Sequence, residues 1–207
     1  MKTVCAIVTA ALMLALAVRY ICQIRARSIE PTLSTWVVFA TGDTISFVSY
    51  VIEAHFDLLS GILNTIDVAV SLAITLAVAL TGPRRFTLQP FEKKYLIASG
   101  AIVLYGVVFS DAWKSNLFSQ ALMTAGYIPL FTRMVRERRN TESFSAWGIA
   151  LLASVVSMIP AFVHGNTLAG IYSLRSSLSS GVCLLVMAHF HFVHLRTQRD
   201  ALARRPA

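Results

Sequence analysis

The chain has 207 residues, of which 56% are hydrophobic and only 14% charged, and its mean hydropathy is +0.67. A soluble domain would carry about 25% charged residues, so the composition argues against a water-soluble globular protein, a disordered chain and a collagen-like repeat. Most of the net charge of +8 lies at the ends of apolar stretches, which indicates topology signals facing anionic lipid rather than contacts with nucleic acid. The predicted fold class is therefore an all-α polytopic membrane protein.

Seven apolar stretches are long enough to cross a bilayer, which requires about 20 mostly apolar residues. They lie at 3–24, 33–54, 59–81, 94–113, 116–133, 145–164 and 168–194. The first stretch also allows a signal peptide, because Ala15 and Ala17 form a small-residue cleavage pattern. The apolar run continues to Ile24, however, which favours a membrane span. The three cysteines lie in apolar runs, so neither a disulfide framework nor a metal site is expected.

Positive charges predict the orientation of the spans. With the N-terminus outside, 14 of the 18 lysines and arginines fall on the inner side, and the positive-inside rule then places the C-terminus in the cytoplasm. Short loops favour a bacterial inner membrane, and the basic tail is predicted to contact lipid. These 14 residues are Arg25, Arg27, Arg84, Arg85, Lys93, Lys94, Arg133, Arg136, Arg138, Arg139, Arg196, Arg199, Arg204 and Arg205.

Three ordered sequence matches predict an internal repeat. The matches are Tyr20-Ile21 with Tyr127-Ile128, Ser34-Thr35-Trp36 with Ser145-Ala146-Trp147, and Gly61-Ile62 with Gly170-Ile171, at offsets of 107, 111 and 109 residues. The predicted organisation is a three-helix unit at 1–81, an inner loop and linker helix at 82–114, a second three-helix unit at 115–195 and a basic tail at 196–207. Because the single linker helix restores the direction of the chain, the two units would run parallel.

Each Tyr-Ile pair is followed by half of a Pro-Gln dipeptide, a basic loop and a Ser-x-Trp sequence. The first copy reads Cys22-Gln23 and keeps the glutamine, and the second reads Pro129-Leu130 and keeps the proline. With the 3+1+3 layout, this pattern resembles the PQ-loop superfamily, which includes the SWEET sugar transporters, the lysosomal amino-acid exporters and the ER-retention-signal receptors. The resemblance covers nearly the whole chain. It implies a small-solute transporter that works by alternating access, with a non-transporting receptor as the alternative.

Two charged residues are predicted at similar depths in matching spans. Asp67 lies in span three and Arg175 in span seven, and at the 109-residue offset they differ by a single position. Since a charge at mid-bilayer costs about 2.5–3.5 kcal/mol on insertion scales, neither is expected to face lipid. In the family that the chain resembles, the corresponding helices border a central cavity, where these side chains would contact substrate. The alternative is a structural ion pair that holds the two halves together.

Asp43 is a third acid at membrane depth, about ten residues into span two. A carboxyl group there can bind and release a proton, which makes Asp43 the candidate for coupling transport to a proton gradient. The alternative is an aspartate that is hydrogen-bonded to neighbouring hydroxyl groups, for which Thr41, Thr44 and Ser46 are available.

The resemblance to sugar carriers implies an asparagine near the cavity centre on the third helix of each unit. Asn64 is the candidate for the first, but its counterpart is Ser173. Because Asp67 and Arg175 add charge, a small charged metabolite competes with a sugar as the expected substrate. Ser173 and Ser176 are candidates for further hydrogen bonds to substrate, although serine also serves helix packing in membranes.

Two prolines and two tryptophans complete the candidate site. Pro129 and Pro160 lie within spans and are expected to kink them. The resemblance implies that these kinks act as hinges, and that Gln23 belongs to the same set of hinge or motif residues. Trp36 and Trp147 open their spans, where membrane-interface anchoring is the ordinary role and gating is the alternative.

Other classes of protein are not favoured. Lysine occurs at only four positions, none of them in span seven, which excludes a retinal Schiff base there. No catalytic or metal-binding motif has useful spacing, so no enzyme activity and no cofactor are expected. The expected partners are the lipid bilayer and a small-molecule substrate, but not nucleic acid, and the sequence leaves homo-oligomerisation open.

Overall fold

The computed structural model describes residues 1–81 and 90–203, with side chains described as far as residue 196. Regular structure in these ranges is entirely helical, which confirms the all-α prediction. The helices are α1 (Lys2–Arg25), α2 (Leu33–Glu53), α3 (Ile62–Thr81), α4 (Pro90–Phe109), α5 (Ala112–Ala125), α6 (Tyr127–Glu137), α7 (Phe144–Val163) and α8 (Thr167–Ala203). The predicted inner-loop and tail arginines Arg84, Arg85, Arg204 and Arg205, and the side chain of Arg199, lie outside the described residues.

Five described helices, α1, α2, α3, α7 and α8, are long and apolar enough to cross a membrane. Large apolar side chains point outward, as with Leu80 (76% exposed) and Leu185 (73%), while polar side chains such as Ser46 and Asn116 are buried. This distribution is the reverse of that in a soluble protein and suits a lipid environment. We therefore describe the chain as a membrane protein.

The other two predicted spans differ from these five helices. Helix α4 begins with three charged residues, Glu92, Lys93 and Lys94. Predicted span five, 116–133, is divided at Gly126 into α5, of 14 residues, and α6, of 11 residues. The division has a local cause, because Pro129 has no N–H to donate to the carbonyl group of Ala125 and its ring crowds that group. The count of seven spans therefore stays a prediction.

Helix α8 is longer than the predicted span 168–194. It continues to Ala203, because residues 195–203 are mostly good helix formers without glycine or proline. The first part of the segment predicted as a separate basic tail is thus a continuation of α8.

With α5 and α6 counted as one broken segment, the helices alternate in direction and form a bundle with two ends. We call the end with Met1 and the connections 54–61, 110–111 and 164–166 the N-side, and the end with the connections 26–32 and 138–143 the C-side. Helix α1 packs against α3 and α7, α2 packs against α3 and α5, and α4 covers α2 and α5. Helix α8 packs mainly against α7 and also contacts α3, α5 and α6. The centre of the bundle therefore lies between α1, α2, α3, α7 and α8.

Candidate functional site

A cavity of about 80 Å³ lies in the centre of the bundle. One water needs roughly 10–15 Å³ by the same measure, so the cavity has room for about five to eight water-sized groups. Of the predicted site residues, it brings together Asp43, Asp67, Arg175, Ser176, Trp36 and Trp147. It is further lined by Met13, Leu16, Tyr20, Phe39, Val70, Ser71, Met123, Tyr127, Ala146, Ala150 and Ser180.

The two acids of the cavity share one hydroxyl group. Asp43 on α2 is 6% exposed, and Asp67 on α3 is half-buried. Tyr172 on α8 is 1% exposed. Its Oη lies 2.7 Å from Oδ2 of Asp67 and 3.3 Å from Oδ1 of Asp43. A single side chain of the last helix thus joins the acids of the second and third helices.

The hydroxyl groups expected to hold Asp43 do other things. Thr41 and Thr44 each donate to a backbone carbonyl group one turn earlier in α2. The hydroxyl of Ser46 accepts a hydrogen bond from Gln120, on another helix. These three hydroxyl groups therefore do not hold Asp43, because they return to the backbone of α2 or face α5. The hydroxyl group that contacts Asp43 belongs to Tyr172 of α8, so the alternative of an aspartate hydrogen-bonded to neighbouring hydroxyl groups stays open.

Arg175 is held by a chain of amides. Its Nε donates to Oε1 of Gln120 at 2.8 Å, and its guanidinium lies over the ring of Tyr172, 4.8 Å from the centroid. Nε2 of Gln120 donates to Oγ of Ser46 at 2.7 Å, and Nδ2 of Asn116 donates to the Ser46 carbonyl oxygen at 2.8 Å. Arginine, glutamine and serine thus connect α8, α5 and α2.

Asp67 and Arg175 line the same cavity without a direct ion pair. Among the ion pairs of the described residues, none within 4 Å joins them. The predicted alternative, a structural ion pair between the halves, is therefore not formed in this conformation. The guanidinium of Arg175 can therefore also bind a small molecule in the cavity.

Aromatic rings form the C-side wall of the cavity. Tyr20, Trp36, Phe39, Tyr127 and Trp147 pack mostly edge to face, with centroids 5.0 to 6.5 Å apart. The two tryptophans are only 8% and 9% exposed. Interface anchoring is therefore wrong for both, because their rings are buried in the bundle instead of reaching its surface.

A buried polar network lies beyond these rings on the C-side. Nη2 of Arg133 contacts Oε1 of Glu142 at 2.7 Å, and these side chains are 9% and 2% exposed. Tyr20 donates to the other carboxylate oxygen at 2.6 Å. Arg133 also donates to the hydroxyl of Thr141 and to the carbonyl oxygen of Glu30. The first connection of the chain is thereby tied to the connection between α6 and α7.

The N-side is held by fewer contacts. Nδ2 of Asn166 donates to Oη of Tyr50 at 3.0 Å, and Tyr50 donates to the carbonyl oxygen of Asp57 at 2.6 Å. Lys2 forms an ion pair with Asp57 at 2.8 Å. Partial burial pushes the pKa of the Asp57 carboxyl upward, but hydrogen bonds from Lys2 and Ser60 outweigh it and hold that pKa below its ordinary value.

Several predicted site residues lie away from the cavity. Nδ2 of Asn64 faces the carbonyl oxygen of Ser46 at 3.4 Å, between α2 and α3. The hydroxyl of Ser173 accepts from Ser157 at 2.8 Å, between α7 and α8. Both serve helix packing here, and neither lines the cavity.

The three predicted hinge residues lie at or near helix ends. The carbonyl oxygen of Gln23 accepts from Ser28 at the end of α1. Pro129 is in the first turn of α6, and Pro160 is in the last turn of α7, three residues before it ends. The expected kink at Pro129 thus takes the form of a break in span five, whereas α7 continues through Pro160 to Val163.

The sequence-based selection missed Tyr172, Gln120 and Asn116. A signal was present for the last two, since Asn116 and Gln120 are four residues apart and so share one face of an apolar segment. Tyrosine in a membrane helix is common, so nothing in the sequence distinguished Tyr172 from other aromatic residues.

No family model, curated protein or solved structure matches the chain.

Proposed function

We propose that this chain is a small-solute transporter of the PQ-loop type, which moves its substrate through the central cavity by alternating access. The observation that carries the proposal is a cavity that brings two acids and an arginine together among mostly apolar side chains, inside a bundle whose outer surface is apolar. Buried charges at membrane depth are costly, and they commonly mark the pathways of substrates and ions.

The helix contacts support two parallel three-helix units. The proposed repeat matches α1 to α5 and α6, α2 to α7, and α3 to α8. The contact between α1 and α7 then corresponds to the contact between α5 and α2. The contact of α2 with α3 likewise corresponds to that of α7 with α8. This pairing suits a pseudo-twofold axis along the membrane normal, and the cavity then lies near that axis.

The cavity favours a small charged metabolite over a sugar as substrate. Its volume of about 80 Å³ suits a molecule with few heavy atoms. Asp67 and Arg175 provide one charge of each sign, and the aromatic wall provides an apolar surface. A small carboxylate or an amino acid matches this combination, because its carboxylate would bring the opposite charge to Arg175, which a neutral sugar lacks.

Ligand binding followed by flux tests the proposal. The purified protein would be melted in the presence of sugars, amino acids and small carboxylates, and the stabilising solutes then tested for uptake into proteoliposomes. A charged hydrogen bond is worth about 1.5–3 kcal/mol, so Arg175→Gln should weaken binding of a carboxylate by about 10- to 150-fold. Lys114→Gln, which removes an exposed charge, is the matched control. Equal uptake by the parent and Arg175→Gln would refute the assigned site, and binding without flux would indicate a receptor.

We also propose that the protein is a multi-pass protein of the cell membrane, with the N-side outside and the C-side cytoplasmic. The exposed basic residues of the C-side connections support this orientation. Single-cysteine chains test it, because Cys5 lies near the N-side and Cys22 is exposed near the C-side. An impermeant maleimide should label Cys5 in intact cells and Cys22 only after permeabilisation, and the reverse pattern would invert the topology.

A further inference from the structure

The hydroxyl group of Tyr172 contacts both cavity acids but has only one hydrogen to donate. Oη of Tyr172 lies 2.7 Å from an oxygen of Asp67 and 3.3 Å from an oxygen of Asp43. A phenol has a single hydrogen to donate, and the shorter contact assigns it to Asp67. The longer contact with Asp43 becomes a second full hydrogen bond when the Asp43 carboxyl carries a hydrogen and donates it to Tyr172.

The charges around Asp43 lead to the same assignment. Through Tyr172, the two carboxyl groups lie within about 6 Å of each other, the sum of the two distances above. Two ionised carboxylates beside one guanidinium would leave one negative charge in surroundings of low dielectric constant, and one proton removes it. The titratable or hydroxyl groups that face Asp43 are Asp67 and Ser71 from α3, Tyr95 from α4, Tyr127 from α6, and Tyr172 and Arg175 from α8.

We propose that Asp43, Tyr172 and Asp67 form a one-proton binding site, and that this proton moves together with a carboxylate-bearing solute. The inference rests on the proposed transport function. A proton from water on one side binds a carboxylate oxygen of Asp43, and it returns to water on the other side when the cavity opens there. No covalent bond other than this O–H bond forms or breaks.

Arg175 links the proton to the solute. It is the cation of the cavity that balances Asp67 and Asp43, and it makes no direct ion pair with either. A solute carboxylate that binds Arg175 neutralises the positive charge beside the two acids. The affinity of these acids for their shared proton then rises. Solute and proton therefore favour the same loaded state and bind with positive cooperativity.

Infrared spectroscopy tests the proton site without knowledge of the solute. The purified parent protein at neutral pH should show the carbonyl stretch of a protonated carboxyl group, which should vanish in Asp43→Asn and shift in Tyr172→Phe. Asp111→Asn is the matched control, because Asp111 caps α5 outside the cavity and asparagine also caps helices. A parent spectrum without the band, or a band retained in Asp43→Asn, overturns the proton site.

Proton flux tests the coupling. Proteoliposomes containing a pH-sensitive dye would be given glutamate, succinate or alanine outside, and internal acidification would be followed together with uptake of labelled solute. The parent and Asp111→Asn should acidify with the transported solute and take it up faster at acidic than at alkaline outside pH, and Asp43→Asn should lose both effects. Uptake without acidification overturns the coupling while transport stands. If none of the solutes moves, transport of this class fails, and the infrared band decides the proton site alone.

Discussion

Gly61 and Gly170 occupy matching places in the two halves of the sequence, but only Gly61 is tightly covered. A methyl group added to Gly61 would overlap the ring of Tyr50 and lie 2.5 Å from its hydroxyl oxygen, whereas one added to Gly170 would lie 3.1 Å from the ring of Phe162. Tyr50 is fully buried and hydrogen-bonded, while Phe162 is 59% exposed and can turn aside. We therefore expect Gly61→Ala to destabilise the protein and Gly170→Ala to be tolerated.

The cost of Gly61→Ala follows from two contributions. Overpacking costs about 1–3 kcal/mol, and displacement of Tyr50 threatens its two hydrogen bonds, each worth about 0.5–1.5 kcal/mol. The free energy of unfolding should therefore fall by about 2–6 kcal/mol. For Gly170→Ala, a helix-propensity gain of about 1 kcal/mol offsets a small movement of Phe162, so the change should stay within about 1 kcal/mol.

Denaturant unfolding in one kind of detergent micelle measures both variants against the parent protein. Gly148→Ala is the control, because its added methyl group meets nothing within 4 Å. Equal losses for Gly61→Ala and Gly170→Ala would refute the reasoning, as would a Gly61→Ala protein as stable as the parent.

Three further changes test the ends and the centre of the bundle. Glu142→Gln removes a charged hydrogen bond worth about 1.5–3 kcal/mol from the C-side network. In a chain whose sole cysteine is the buried Cys183, maleimide should then label this residue at least about tenfold faster. An unchanged labelling rate in folded protein would contradict the idea that this network closes the C-side. The pKa of Asp57 lies below its ordinary value of 3.8. Its ion pair with Lys2 therefore stabilises the fold above pH 3.8, and this contribution is lost on further acidification. Asp57→Asn should therefore lower the free energy of unfolding at neutral pH by less than about 1 kcal/mol, the difference disappearing in acid; a difference that grows in acid would reverse this sign. Gln120→Leu should cost about 1.5–3 kcal/mol of unfolding free energy, because Nε of Arg175 loses the acceptor of its charged hydrogen bond; a loss below about 0.5 kcal/mol, the size of an ordinary surface substitution, would contradict this assignment.

The sequence allowed much of the fold to be predicted. Long apolar stretches can satisfy their backbone groups in lipid only as helices, so the positions of α1, α2, α3 and α7, and the start of α8, follow from hydropathy to within a few residues. The break at Gly126 was less accessible, because Pro129 indicates a disturbance but not whether the helix bends or stops.

The candidate site was predictable only in part. Asp43, Asp67 and Arg175 stand out because charge is rare in apolar segments, and all three line the cavity. Their partners could not be predicted, since hydrogen bonds between distant helices depend on how those helices rotate about their axes. Asn64 and Ser173 illustrate this point, because a polar residue at the right depth can equally face a neighbouring helix.

The amide chain that holds Arg175 also decides how the bundle can deform. Ser46 joins α2 to Asn116 and Gln120 of α5, so separating these helices would expose unpaired amide groups to an apolar interior. Within the described residues, the contact of α1 with α7 is hydrogen-bonded only at its C-side end, where Arg19 donates to Ser145. In mechanical terms, the contact of α2 with α5 resists separation, whereas the contact of α1 with α7 allows the two helices to slide. Any movement of α1, α2 and α3 relative to the remaining helices would turn about the contact of α2 with α5 and slide along the contact of α1 with α7.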